Sequence, residues 1–545
     1  MSYVCQLSSG KPCSACTELG SFDALNLSSK ATFTEERRLL LERINASHDP
    51  LSSYLPYELI SKIFDIYCED SGYPALVLSR AMPIPHTTTP MYLASVCTTW
   101  RDIAFTTPSL WSSLLIKYSP SWFAYKDLMA AWLDRAKVMP LSIRISLPKN
   151  GENAKIPMLP HKIAFLATIG CYAARWQTLN LLMPTSLSRV FLGTSLLIAP
   201  ILSTLQLHIT DKEFQDEPDI VVLVTPRVST LKISNICLKT VKLDCVNLTS
   251  IQISMPSIDE IFEILRRAPG LRELDLTDIC EISSTYTVPQ NLTHGTLQSL
   301  ILFPKTFGGS DICIALEHLT FPVLQRFTYN FKRSRIPLDM SIFSDFLQRS
   351  GKNITFLSLE QIDFDCISPA SLVAVLALIP SLTEVYLECW KLDLLCIEML
   401  ELTFNFFGVP NSFLPNLQIF KYRGAKYDMR AWISLTRAFE YLTSALNDRM
   451  AFHTNHKDPY NRRGPSPPHT VQFTLVNRFP RDNIIPLPDT AFRSFHKLKE
   501  AGLRLKICEE TWNKRGTKGE LDMLAYFMET AFSEFDDFPV HWFDV

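Results

Sequence analysis

The sequence predicts an α/β chain in which a small helical N-terminal domain precedes a solenoid with a curved parallel sheet and outer helices. Three observations predict it. Two stripes of apolar residues at helical spacing lie within residues 55–107. Beyond residue 175 the pattern apolar-x-x-apolar-x-apolar recurs at intervals near the length of one helix–strand unit. Six of its ten occurrences carry proline two residues before the first apolar position: Pro200, Pro226, Pro269, Pro322, Pro380 and Pro415.

Taken in order, residues 1–30 are polar and serine-rich and are expected to form a disordered tail. "TFTEERRLLLERINAS" follows, with Thr32 and Glu35 at capping-box spacing, and reads as a helix. In "LPYELISKIFDIYCED", Pro56 suits a first helical turn, and Glu58 sits where the positive end of the helix dipole favours it. Leu55, Leu59, Ile63 and Ile60, Phe64, Tyr67 form adjacent helical stripes. A Pro/Thr-rich insertion, "AMPIPHTTTP", separates this helix from a second. There Leu93, Val96, Cys97 and Trp100 fall at i, i+3, i+4 and i+7, Ile103 and Ala104 extend the face, and Pro108 ends it. So few helices cannot hide this many large residues among themselves, and the apolar remainder points to an obligate partner.

The apolar triples begin at Trp176, Leu202, Val228, Leu248, Leu271, Leu297, Leu324, Ile354, Leu382 and Leu417, with separations of 26, 26, 20, 23, 26, 27, 30, 28 and 35. Most lie near the range of about 20–29 residues of leucine-rich repeats. In "IDEIFEILRRAPGLRELDL", Ile258, Ile261, Phe262 and Leu265 make a helical stripe that proline stops, and "LRELDL" runs on as a strand. "SLVAVLALIPSLTEVYL" repeats the scheme. A helix feeding a strand cannot bury its apolar side alone, so such units stack into one core. The expected organisation is a disordered tail over 1–30, helical domain over 31–118, connecting segment over 119–175, repeat array over 176–425, and C-terminal repeats or cap over 426–545 with a loop near 451–470.

The residue between the last two apolar positions of each triple should point outward from the concave face. Asn180, Gln206, Ile301 and the candidate partner contacts Lys232, Gln252, Asp275, Thr328, Ser358, Tyr386 and Lys421 hold these positions. The set is chemically mixed, with no cluster of carboxylates or His/Cys ligands. It suits protein recognition better than catalysis.

Other signals exclude more than they propose. Lys+Arg 53 against Asp+Glu 55 leaves a formal charge of -2, so no broad basic field is available for nucleic acid. Only 17 of 545 residues are glycine, and neither GxGxxG nor GxxxxGK[ST] occurs, which argues against a nucleotide-dependent enzyme. GxSxG, HExxH and a paired CxxC are also missing, so no catalytic residue, metal site or cofactor is assigned. Cys13 and Cys16 form a CxxC without a second pair, and His453 and His456 lie in a polar loop without a carboxylate partner. The N-terminus lacks the pattern of a secretory signal, and "VFLGTSLLIAPILSTL" is too short and interrupted to span a bilayer. The fourteen cysteines are then expected to be reduced.

"LPYELISKIF" followed by "YLASVCTTWRDIAFTTPSLWSSL" resembles the F-box, in the variant abundant in mushroom-forming fungi. The resemblance continues through "AAWLDRAKVMPLSIRISL" and "ARWQTLNLLMP", and departs from the family in the insertion near 71–90. The later array resembles an irregular leucine-rich solenoid, without asparagine at the eighth position after each start. The resemblance implies docking on a Skp-type adaptor through Leu55, Pro56, Glu58, Leu59, Ile63, Phe64, Leu93, Val96, Cys97 and Trp100. Through that adaptor it implies a cullin and a RING subunit, a client protein held by the array, and a cytoplasmic or nuclear location with no membrane. Such a chain is a recognition subunit of a ubiquitin ligase and does no chemistry itself; the alternative is a scaffold or sequestering protein that acts without ubiquitination.

Overall fold

The structure, a computed structural model, describes residues 14–25, 34–70, 90–117, 126–147, 160–193, 197–210, 221–236, 238–279, 291–304, 309–331, 338–364, 367–389, 394–407, 413–425, 440–448, 470–477, 504–512 and 518–522. The chain forms two compact units, residues 1–244 and 245–545. Both are α/β, each built on a parallel sheet.

The first unit opens with helices α1 (Ser14–Leu25), α2 (Thr34–His48), α3 (Pro50–Tyr54), α4 (Tyr57–Asp70), α5 (Pro90–Val96) and α6 (Thr98–Thr106), then a 3-10 turn at Pro108–Trp111. Thus Ser14–Leu25, inside the segment expected to be disordered, is helical, and Cys16 and Leu19 are buried. Polar caps set the boundaries. The Asp49 carboxylate accepts from the amides of Leu51 and Ser52 at the start of α3, and the Cys97 sulfur accepts from the Trp100 amide at the start of α6. Each satisfies amides that have no partner within the helix.

The sheet of this unit follows as β1 (Ser113–Lys117), α7 (Lys126–Arg135), β2 (Leu141–Ser146), α8 (Pro160–Gly170), β3 (Trp176–Met183), β4 (Thr204–Ile209) and β5 (Thr230–Ser234). The strands run parallel in chain order. Parallel pairing therefore begins at Ser113, well ahead of the first apolar triple. Trp111 fastens helices to sheet: it is fully buried, its indole donates to the Ala104 carbonyl at 2.7 Å, and its ring meets that of Trp132 edge-on at 4.7 Å. The Arg135 guanidinium lies 4.2 Å from the Phe105 ring centre and 5.0 Å from that of Trp111.

The second unit contains β6 (Ser250–Ser254), α9 (Ile258–Arg267), β7 (Glu273–Ile279), β8 (Ser299–Pro304), α10 (Gly309–His318), β9 (Arg326–Asn330), α11 (Met340–Ser350), β10 (Phe356–Ile362), α12 (Pro369–Ala377), β11 (Glu384–Cys389), α13 (Leu394–Phe407), β12 (Ile419–Ala425), β13 (Thr470–Asn477), β14 (Arg504–Trp512) and β15 (Lys518–Asp522). These strands pair in chain order, all parallel except the antiparallel β14–β15 pair. Ile251, Leu274, Leu300, Phe327, Leu357, Val385 and Phe420, the second apolar residue of successive triples, are register partners. Helices cover the apolar side: Phe343 and Phe346 of α11 lie 5.8 and 5.6 Å from the Phe327 ring of β9.

Every apolar triple coincides with a strand, and the prolines acquire a geometric reason. In each proline-marked repeat, the amide of the first apolar residue bonds the carbonyl three residues back: Leu202 to Ala199, Val228 to Thr225, Leu271 to Ala268, Leu324 to Phe321, Leu382 to Ile379, and Leu417 to Leu414. Proline thus occupies the second position of a tight turn, where its fixed φ is already correct. Among the described residues the expected helix is not seen between β3 and β6, nor between β7 and β8. Between β3 and β6 the described residues hold two short helical turns after β3, a 3-10 turn at Leu238–Thr240, and short parallel strands at Leu197–Ile198, Val221–Val224 and Val241–Lys242. The repeat from Val228 to Leu248 has only 20 residues between starts, too few for strand, turn and a helix of several turns. Strand exits bend sharply: Asn235, Met255, Asp278 and Gln361 have φ of 57°, 65°, 55° and 56°, each two residues beyond the last apolar position of its triple. Among the described residues no helix is long and apolar enough to cross a membrane.

Candidate functional site

The helical unit separates its apolar residues into an inner and an outer face. Ile60, Phe64 and Cys68 of α4 are buried, as are Leu93, Cys97, Ile103, Ala104 and Leu110. Phe64 meets the Trp100 ring at 5.0 Å. Polar ties lock the arrangement: Thr107 donates to Ser61 at 3.1 Å, Ser109 donates to Asp65 at 2.7 Å, and the Tyr57 hydroxyl pairs with Thr106. Burial and the nearby Asp65 carboxylate push the Cys68 thiol up to about 11, so it stays a protonated core residue near neutral pH.

The outer face is unusually apolar. Leu59 is 52% exposed, Ile63 39%, Ile66 51% and Tyr67 50%, at the i, i+4, i+7, i+8 spacing of one helical stripe. Tyr92 and Val96 of α5, one turn apart, are 56% and 43% exposed. Of the residues that the F-box resemblance assigns to an adaptor, Leu59, Ile63 and Val96 lie in this apolar surface, and Pro56 and Glu58 are exposed beside it. Phe64, Leu93 and Cys97 do not face outward. They are 1%, 6% and 1% exposed because the short helices close over them. Leu55 is half-buried in a groove lined also by Tyr57, Ile60, Ile103 and Thr106. Trp100 is half-buried and committed to Phe64 and Asp49. Ile66, Tyr67 and Tyr92 were not among the sequence candidates, though Ile66 continues the stripe of Leu59 and Ile63 and could have been found from it; Tyr67, grouped by spacing with Ile60 and Phe64, is exposed where they are buried.

On the sheet of the second unit, the outward positions form rows across the strands. Gln252, Asp275, Ile301, Thr328, Ser358, Tyr386 and Lys421 are consecutive register partners, so the candidate contacts of this unit lie on one line. Lys232 occupies the matching position of β5 in the first unit, in register with Gln206, and is exposed. Ser358 is only 3% exposed and donates to Glu360, which makes it a support for its neighbours.

Two residues further along these strands lies a polar network that the spacing argument did not reach. Glu388 accepts hydrogen bonds from Tyr386 at 3.3 Å and Arg423 at 2.9 Å, and from Gln361. Glu360 accepts from Asn330 at 2.9 Å and from Ser358 at 3.2 Å. Lys421 pairs with Glu384 at 2.7 Å. Burial raises the Glu388 carboxyl, with Arg423 opposing and Glu360 adding to the shift. Burial and the Glu388 charge raise the Tyr386 phenol, so it stays a neutral donor. Alternation in a strand puts residues two apart on one face, so this second row was available from the sequence.

Among the described residues no three His, Cys, Asp or Glu side chains come together as a metal site. Cys13, His453 and His456 lie outside the described residues. No protein-family model matches the chain, and no curated protein matches it.

Proposed function

We propose that this chain is the substrate-recognition subunit of a cullin-RING ubiquitin ligase, with an F-box-like unit that docks on a Skp-type adaptor and a leucine-rich array that holds a client protein. The observation that carries the reading is the divided helical unit. Its core is complete with Phe64, Leu93 and Cys97 inside, yet Leu59, Ile63, Ile66, Tyr67, Tyr92 and Val96 remain in water. Leaving that much apolar surface exposed is costly in a small helical unit, and burying it against a partner recovers the cost. The sequence supports the choice of partner, since the same helices resemble the F-box over Leu55–Phe64 and Leu93–Trp111. The in-register rows of the sheets supply the second surface.

In such an assembly the chain accelerates ubiquitin transfer by proximity alone, raising the effective concentration of client lysines near a charged conjugating enzyme. The test is co-expression with a Skp-type adaptor and a cullin, followed by pull-down of the full chain and of its Leu59→Asp/Ile63→Asp/Val96→Asp variant. Recovery of adaptor and cullin with the wild type and not with the variant is expected. Equal recovery with both, or none with either, refutes the reading.

A further inference from the structure

A groove of about 390 Å3 opens between α3, α4 and α6 of the helical unit. Leu55, Ile60 and Ile103 give it an apolar floor, and Ser52, Tyr57, Thr99, Asp102 and Thr106 add oxygen atoms. Most of the hydroxyl protons are already committed. Ser52 donates to Asp49, Thr106 donates to the Asp102 carbonyl, and the Tyr57 hydroxyl pairs with Thr106. No lysine, arginine or histidine lines the groove, and Asp102 brings its one charge. Asp102 is exposed, and among the described residues its carboxylate has no hydrogen-bond or ion-pair partner. The groove therefore presents acceptors and an uncompensated anion beside an apolar floor.

We infer that this groove takes a lysine or arginine side chain of the protein that docks on the helical unit, with its alkyl stem on Leu55, Ile60 and Ile103 and its cation at Asp102. Ammonium and guanidinium groups carry donors, no acceptor and a permanent positive charge, which complements a site made of acceptors and a carboxylate. Their stems are apolar, so one side chain covers the floor while its head stays at the wet rim beside Asp102. A carboxylate or phosphate meets the wrong sign of charge there and finds few free donors. The occupant comes from a protein because α4 carries two surfaces at once. It lends Tyr57 and Ile60 to the groove and Leu59 and Ile63 to the exposed apolar stripe, so a partner that covers the stripe reaches the groove. This assignment rests on the stripe being a docking face, as proposed above, and adds a charge requirement to it.

The test has two arms, both on the full-length chain. In the first, saturation-transfer NMR titrates three small probes, the N-acetyl methylamides of lysine, norleucine and glutamate. The lysine probe should bind about threefold or more tightly than norleucine, with glutamate weakest, and the preference should shrink as salt is added. Asp102→Asn should abolish the preference, whereas Asp102→Glu and Asp448→Asn, an exposed acid of the second unit, should keep it. In the second arm, titration with purified Skp-type adaptor should show Asp102→Asn weakening binding by about threefold or more and flattening its salt dependence, with Asp102→Glu restoring both. Unchanged thermal melting of the variants shows that folding is not the cause. No binding of the lysine probe, no preference for it over norleucine, or a preference that survives Asp102→Asn overturns the inference. A lysine preference beside unchanged adaptor affinity overturns the assignment to a partner side chain and marks the groove as a site for a free amine. The broader reading fails separately: it falls if the adaptor does not bind the wild-type chain at all, whatever the probes do.

Discussion

The indole N–H of Trp100 donates to the carboxylate of Asp49, joining the start of α3 to α6 across 51 residues of chain. That carboxylate is 8% exposed and also caps α3 through the amides of Leu51 and Ser52. One side chain therefore holds a helix start and a tryptophan together. Asp49→Ala removes both and leaves a partly buried indole donor unsatisfied, at a cost of about 1–3 kcal/mol. Asp49→Asn keeps an acceptor oxygen and should cost less than half as much. Urea unfolding followed by tryptophan emission measures both, and equal stability of Asp49→Ala and wild type would refute the role.

Leu59 and Phe64 sit little more than one turn apart on α4 and answer to different forces. Phe64→Ala opens a cavity beneath Trp100 and should cost about 3–5 kcal/mol of folding stability. Leu59→Asp changes a half-exposed position and should alter stability by no more than about 0.5 kcal/mol. For adaptor affinity the prediction reverses for Leu59: an acid placed in the apolar stripe should weaken docking by about 2 kcal/mol or more. Calorimetric titration of purified adaptor, beside a melting curve for each variant, separates the two. Phe64→Ala that folds normally, or Leu59→Asp that binds normally, would overturn this assignment of faces.

The strands were the most legible part of the fold. Each apolar triple became a strand because the period of two needed to bury alternate residues leaves its mark directly in sequence. The helices were less so: between β3 and β6 the same triple is served by short strands and turns, since the spacing fixes the strand and not what returns the chain to it. In the helical unit, periodicity found both stripes of α4 but could not say which was inside. Leu59 and Phe64 are equally apolar, and the distinction comes from where α5 and α6 fall, which no local spacing encodes. Asp49 and Trp100 meet only through the tertiary fold, so no local pattern announces them, whereas strand alternation places Glu388 and Arg423 on one face and leaves only their pairing to the register.

The repeated turn prolines make a prediction of their own. Pro226, Pro269 and Pro380 are exposed, so their rings bury little, and their contribution acts through restriction of the unfolded chain. Alanine at each should cost about 0.4–1 kcal/mol, adding across the three because they sit in separate repeats. Leu271→Ala, two residues past Pro269 and fully buried, should cost about 2–5 kcal/mol. Denaturant midpoints of the single and triple proline variants measure this. A proline variant as damaging as Leu271→Ala would mean that the ring is packed and not merely preset.

Glu388 sets a pH dependence whose sign follows from its surroundings. Burial raises its carboxyl above the ordinary value of 4.5, Arg423 opposes the shift, and Glu360 adds to it. The folded chain therefore holds this proton more tightly than the unfolded chain does. Below the ordinary value both states are protonated and the group is neutral to stability. As pH rises from there to the raised folded value, the unfolded chain releases its proton first, so the Glu388 contribution falls; above that window its cost is full and constant. Glu388→Gln cannot titrate but keeps an oxygen to accept from Tyr386, Arg423 and Gln361. Unfolding free energies of both proteins, measured from pH 4 upward, should give a wild-type-minus-variant difference that declines through the window just above the usual carboxylate range and then levels. A difference that rises with pH would mean that the ion pair with Arg423 outweighs desolvation, and that the network binds Glu388 as an anion more strongly than its burial opposes it.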